Sequence, residues 1–146
     1  MKPSFHTIIH NDQRPEGSAE LIAHLRKSAE QLGGPRGAAE FWLMAYDDNN
    51  RPVGVLEASI MFGWLFIANL FVEEEFRNQK IGQKLMEQVE EEAVKRGCHG
   101  IYLNTFSFQV PDFYLRLGYE LFASLDDFPP GHQRHFFCKK LVTDLS

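Results

Sequence analysis

Between Val53 and Thr105 the hydrophobic pattern changes period twice, and that order narrows the fold more than any other feature of the chain. Val53 to Phe62 and Trp64 to Val72 are two long runs rich in β-branched and aromatic residues. Only Gly63 stands between them, so they read as the two arms of a hairpin. Ile81, Leu85, Val89 and Ala93 then recur at helical spacing and mark a helix of about four turns. Lys95 and Arg96 in its last turn and Gly97 just beyond close it. His99 to Thr105 is a strand again. A hairpin, a helix and a returning strand require a sheet with a β-α crossover.

The flanking segments extend this sheet. Phe5 to His10 reads as a first strand with Phe5, Thr7 and Ile9 on one face, and Pro15 to Gly17 breaks it. Leu21, Ile22, Leu25, Ala29 and Leu32 follow a helical period, with Ser18 as the cap and Gly33-Gly34-Pro35 as the stop. Glu40 to Tyr46 is an aromatic-rich strand, and the turn residues Asp47 to Pro52 follow it. Pro111 to Leu117 is a short helix ended by Gly118. Tyr119 to Leu125 and Arg134 to Leu141 are the last two strands, joined by the loop 126–133. The order β-α-β-β-β-α-β-α-β-β describes a mixed α/β fold with a mostly antiparallel sheet of about seven strands. The chain of 146 residues, without repeat or linker, is read as a single domain, 1–146.

Composition removes several classes of function. The net charge is −5 and no run of Lys or Arg forms a basic stripe, which argues against a nucleic-acid partner. The two cysteines, Cys98 and Cys138, stand in no metal-ligand spacing, so neither a zinc site nor a disulfide framework is expected. Reduced thiols, with no apolar leader at the N-terminus, point to the cytoplasm. The longest apolar run, Ile60 to Val72, is too short to span a bilayer, so no membrane partner is expected. The P-loop pattern is absent, which argues against an NTPase.

The segment VEEEFRNQKIGQKLM, residues 72–86, carries the first chemical signal. A strand runs into a short loop, and the loop opens a helix whose first N–H groups have no helical acceptor. The helix dipole, Arg77, Lys80 and Lys84 all add positive charge there, and Gly82 lets another group approach the backbone. These features suit a pyrophosphate. They suit a solvated helix start equally well, and the segment alone leaves both readings open.

Two motifs extend the reading. R-N-Q-K-I-G, residues 77–82, resembles the Q/R-x-x-G-x-G/A motif of the GNAT superfamily of acyl-CoA-dependent N-acetyltransferases, with Lys80 in place of the middle glycine. F-Y-L-R-L-G-Y, residues 113–119, resembles that family's aromatic-Tyr-x-x-x-Gly-aromatic segment. The order of elements agrees from about Phe5 to Leu141, and the stretches 105–109 and 126–132 are similar to those of a subgroup of small bacterial members.

The resemblance implies that the two central parallel strands splay apart and admit the pantetheine arm of acetyl-CoA, which pairs with the backbone of Leu70, Phe71 and Val72. It implies that Arg77, Asn78, Gln79, Lys80, Ile81, Gly82 and Gln83 hold the pyrophosphate, chiefly through backbone amides. Lys80 either restricts that approach by its bulk or adds a direct phosphate contact. Tyr114 matches the general acid that returns a proton to the leaving thiolate, although a tyrosine there also serves as core. The general base is left open among Glu57, Asp126 and His132, a water relay, or an amine that arrives already neutral and needs none. Ser107 stands where the family often has an asparagine, and Asn104 lies too early to take that role. Trp42, Phe62 and Trp64 can line an acceptor pocket or simply pack. The implied reaction moves acetyl directly to a primary amine, on a small molecule or a peptide, with no metal and no covalent enzyme intermediate. A homodimer is a further expectation. The alternative is a non-catalytic acyl-CoA-binding module on the same fold.

Overall fold

The computed structural model describes residues 2–142. The chain falls into two compact units, Met1–Pro35 and Arg36–Ser146. The first holds helix α1, Ser18–Gly33. Its N-cap is Gly17, with φ 88°, and not the expected Ser18. Ser18 is the first helical residue, and its hydroxyl donates to the carbonyl of Pro15 at 2.8 Å. The strand expected over Phe5–His10 does not form. A strand needs a neighbour for its N–H and C=O groups, and residues 2–35 offer no second strand.

The second unit is a six-stranded sheet with two helices, so the described residues hold six strands and not about seven. The strands are β1 Ala39–Tyr46, β2 Pro52–Met61, β3 Trp64–Val72, β4 Gly100–Phe106, β5 Glu120–Asp126 and β6 Gln133–Lys140. Helix α2, Ile81–Lys95, joins β3 to β4, and helix α3, Pro111–Arg116, precedes β5. The sheet order is β1-β2-β3-β4-β6-β5. Only β3 and β4 pair in parallel; every other pair is antiparallel. The β2–β3 hairpin turns on Phe62 and Gly63, at φ 51° and 79°, as a two-residue primed turn requires.

One face of the sheet carries Leu56, Ala58, Ile60, Leu65, Ile67, Ile101, Leu103 and Phe137 into a core with Leu85, Met86, Val89 and Ala93 of α2. Burying a Leu, Met or Val side chain fully is worth about 1.5–3 kcal/mol, so α2 is fixed mainly by this stripe. Alternation places Glu57, Phe66, Asn69, Tyr102, Asn104, Phe106 and Arg134 on the other face. No helix of the described residues is long and apolar enough to cross a membrane.

Candidate active site: a parted strand pair and an uncapped helix

Pairing between β3 and β4 is brief. It joins Trp64–Ile67 to Gly100–Leu103 and then stops. The cause lies on the opposite edge of β3. Glu57 of β2 faces Asn69 while Ala58 faces Ile67, so Ala68 is an extra residue, a bulge. A bulge bends and twists its strand. Beyond it, β3 continues along β2 as far as Val72, paired with Gly54, while β4 continues along β6 as far as Phe106, paired with Arg134. The two central strands therefore part, and the edge of β3 from Ala68 to Val72 has no strand partner on its β4 side. Leu70 and Val72 turn their side chains to the core, and Phe71 turns to the other face.

The open edge leads to the start of α2. A single 3₁₀ turn, Glu74–Phe76, carries the chain from β3 to Arg77. The Arg77 Nε–H donates to the carbonyl of Val72 at 3.0 Å, and its guanidinium lies 5.7 Å from the centre of the Phe71 ring. Arg77 thus ties the loop to the strand end. Asn78 and Lys80 both adopt left-handed backbone, at φ 68° and 62°. Lys80 is the N-cap of α2, and no side chain caps the helix. Its carbonyl accepts the first helical bond, from Lys84 N–H at 3.0 Å. The N–H groups of Ile81, Gly82 and Gln83 have no acceptor among the described residues. No acidic residue lies in this first turn to offset the dipole. The Gln83 side chain turns away to Glu87, Nε2 to Oε1 at 3.2 Å. A Cβ at Gly82 would sit 3.5 Å from the Phe113 ring, an ordinary contact, so the protein's own packing does not require glycine there.

Helix α3 brings Phe113 beside this turn, with Tyr114 next to it in the helix. The ring of Tyr114 is buried against Phe113, Tyr119 and Phe137, at centroid distances of 5.1, 6.2 and 6.0 Å. Burial pushes its phenol up to about 12, so it keeps its proton throughout the neutral range. The hydroxyl makes no hydrogen bond among the described residues, and no fully buried side-chain oxygen there lacks a partner. The tip of the ring therefore reaches solvent. Tyr119 is held differently: its hydroxyl donates to Glu90 at 3.1 Å, and Lys139 bridges Glu90 at 3.2 Å and the carbonyl of Leu117 at 3.0 Å. Burial, then the charge of Glu90 and that hydrogen bond, raise the Tyr119 phenol well above its usual range.

The three candidate bases stand apart. The carboxylate of Glu57 accepts from Trp42 Nε1 and from Asn69 Nδ2, each at 2.9 Å, beside the point where β3 leaves β4. Asp126 holds Gln133 Nε2 at 2.6 Å, and the ring of His132 stands edge-on to Phe108 at 5.1 Å. Both belong to the turn of the outer β5–β6 hairpin, away from β3 in strand order. Ser107 is structural: its Oγ accepts from the N–H of Gln133 at 2.9 Å. Sequence reading gave Asn69 and Arg134 no role and set Asn104 aside. The alternation of β3, β4 and β6 was the signal that sets them on one face with Glu57. Among the described residues no group of three or more His, Cys, Asp or Glu is placed to hold a metal ion.

A parallel pair that parts at a bulge, one strand of which leads into an uncapped, basic helix start, offers an open strand edge that runs into an anion-binding turn. The chain belongs to the Acetyltransferase (GNAT) family, whose model matches residues 5–119. It is 37% identical over 89 residues to a blasticidin-S acetyltransferase of Streptomyces morookaense, a match that covers 60% of this chain and 65% of that protein. It is 39% identical over 85 residues to an acetyltransferase of Agrobacterium fabrum, covering 58% of this chain and 62% of that one. The chain thus spans less than two thirds of the length of these curated relatives. A crystal structure of an acetyltransferase from Bacillus cereus superposes with a TM-score of 0.80 at 28% identity, covering 91% of this chain and 98% of that one.

Proposed function

We propose that the protein transfers an acetyl group from acetyl-CoA directly to a primary amine. The observation that carries this reading is the continuity of the open β3 edge with the uncapped start of α2. Along Leu70, Phe71 and Val72 the edge-facing backbone groups not taken by β2 or by Arg77 suit the two amides of a pantetheine arm, as an added strand would. The amides of the turn Asn78–Gln83, with Arg77 and Lys80, suit the pyrophosphate.

Two side chains and the β3 backbone then have distinct tasks. Glu57, beside the parting of the strands, takes a proton from the incoming ammonium. The neutral nitrogen attacks the thioester carbonyl, and a C–N bond forms. The free amides of the β3 edge stabilise the oxyanion. As the C–S bond breaks, the electron pair leaves with sulfur and Tyr114 donates its proton there. The second nitrogen proton is lost as the amide forms, and water restores the proton of Tyr114. Nitrogen loses two protons, sulfur gains one, and one goes to solvent.

Acetyl-CoA should raise the melting temperature of the purified protein, because it binds the folded state alone, while ATP and NAD should do far less. Thiol release over a panel of amines then separates an enzyme from a non-catalytic acyl-CoA-binding module. No thermal shift and no calorimetric heat at saturating acetyl-CoA would overturn the donor assignment.

A further inference from the structure

On the sheet face opposite α2, Glu57 and Arg134 stand beside the parting strands without counterions, one on each side. On the β2–β3 side, Glu57 is held by two neutral donors, Trp42 and Asn69, at 2.9 Å each. On the β4–β6 side, the Nε–H of Arg134 donates to Asn104 Oδ1 at 2.8 Å. The guanidinium of Arg134 also lies over three phenyl rings, 5.3 Å from the centre of Phe106, 4.8 Å from Phe128 and 5.9 Å from Phe136. Among the described residues neither charge has an ion-pair partner.

Both head groups are fixed by neutral side chains, and each touches the strand that borders the opening. Glu57 reaches from β2 to Asn69 of β3, and Arg134 reaches from β6 to Asn104 of β4. Asn69 and Asn104 thereby link the two charges to the strands β3 and β4, which part between them. Paired strands stand about 4.8 Å apart, and these two stand further apart beyond the bulge. A half-buried guanidinium walled by aromatic rings loses hydration, and the rings and Asn104 replace it without a counter-charge. It retains an unused edge, and a guanidinium edge matches a carboxylate.

We infer that the amine acceptor carries a carboxylate: its ammonium lies toward Glu57 and its carboxylate toward Arg134, across the opening between β3 and β4. This inference rests on the acetyl-transfer reading above and adds the class of acceptor to it. The spacing favours an amine and a carboxylate separated by several bonds rather than by one carbon.

The probes are ω-amino carboxylates from glycine to 6-aminohexanoate, each compared with the n-alkylamine of equal chain length. Both series are measured by thiol release and by calorimetric binding in the presence of CoA. The longer amino carboxylates should exceed their alkylamine partners at least tenfold in kcat/KM, or in affinity where turnover is slow. Arg134→Gln should cut that ratio at least tenfold, mainly through KM, and Arg134→Lys should restore part of it. Glu57→Gln should weaken both series alike and leave the ratio standing. Circular dichroism checks that each variant is folded. Equal or better use of the alkylamines overturns the inference, and so does an Arg134→Gln loss that falls equally on both series. Failure of the transfer reading is a different outcome: amino carboxylates would still bind with the expected ratio while no amine releases thiol.

Discussion

Glu57 and Asn69 face each other across β2 and β3, Oε1 to Nδ2 at 2.9 Å, and the residue before Asn69 is the bulge that turns β3 away from β4. One cross-strand contact thus sits where the sheet opens. The bond fixes the carboxylate against the strand whose free edge leads to α2. A carboxylate placed there can meet an acceptor without crossing the core.

The first expectation concerns that carboxylate. Glu57→Gln keeps both hydrogen-bond partners within reach and removes the charge and the basicity. Turnover should fall by about 10²–10⁴-fold, the range for a general base. The Kd for acetyl-CoA should stay within about 1.4 kcal/mol, or tenfold, of the wild type. The loss should shrink as pH rises and the amine arrives already neutral. An equal loss at every pH would point to a positioning role for Glu57.

The second expectation sets stability against affinity at the start of α2. Lys80 holds φ 62° with a side chain attached, a conformation that costs about 1–2 kcal/mol for an L-residue. Lys80→Gly should relieve part of that and raise Tm by a few degrees, with acetyl-CoA affinity within about tenfold. At Gly82 a methyl group would meet Phe113 at an ordinary 3.5 Å, and alanine is the better helix former. Gly82→Ala should therefore leave stability equal or higher while weakening acetyl-CoA. Gly82→Asp should weaken it further. Undiminished affinity in the aspartate variant would place the donor elsewhere.

How far the chain disclosed all this depends on which interactions are local. The hairpin, α2 and its stop were legible because period, turn residue and cap lie within a few positions of one another. Even the bulge left a trace: Leu65 and Ile67 face the core, then Leu70 and Val72 do, so the alternation slips by one at Ala68. The strand at Phe5–His10 had the pattern but no partner within its unit, and pattern without pairing does not make a strand. The junction of Arg134 with Asn104 spans thirty positions, which no local period reveals. The motif matched on identity at Arg77 and Gly82, whereas its backbone demand falls on Asn78 and Lys80, where left-handed geometry is carried by residues other than glycine.

A third expectation concerns alkaline pH. The phenol of Tyr114 is raised to about 12 by burial, against about 10 when exposed. Between these values the unfolded chain gives up the proton and the folded one keeps it, so stability is whole below about pH 10 and declines as pH rises through about 12. The slope for one such group is about 1.4 kcal/mol per pH unit. Tyr119, raised by burial and by Glu90, adds to the decline. Urea titrations across this range should show a shallower fall for Tyr114→Phe than for the wild type. Parallel curves would mean that the ring is not held as the structure has it.

The last expectation is the role of Tyr114 itself. Its ring is packed on three sides by Phe113, Tyr119 and Phe137, while its hydroxyl bonds to none of them. A phenol that served only packing would not need its oxygen, and Tyr114→Phe would then change neither fold nor rate. A phenol that protonates sulfur needs the opposite arrangement: a fixed ring, an uncommitted hydroxyl and a proton retained at neutral pH. An ordinary phenol already meets the last of these, and burial reinforces it. If Tyr114 is the acid, Tyr114→Phe should slow single-turnover acetyl transfer by about 10²–10⁴-fold with acetyl-CoA affinity nearly intact. An acetyl donor whose thiol is far more acidic than CoA should recover much of the lost rate, because its thiolate leaves without a proton. Recovery with that donor separates proton donation from mere orientation, which no change of leaving group would repair. A single-turnover rate equal to the wild type would return Tyr114 to the core, and a parallel loss of rate and affinity would make it a residue that holds the donor.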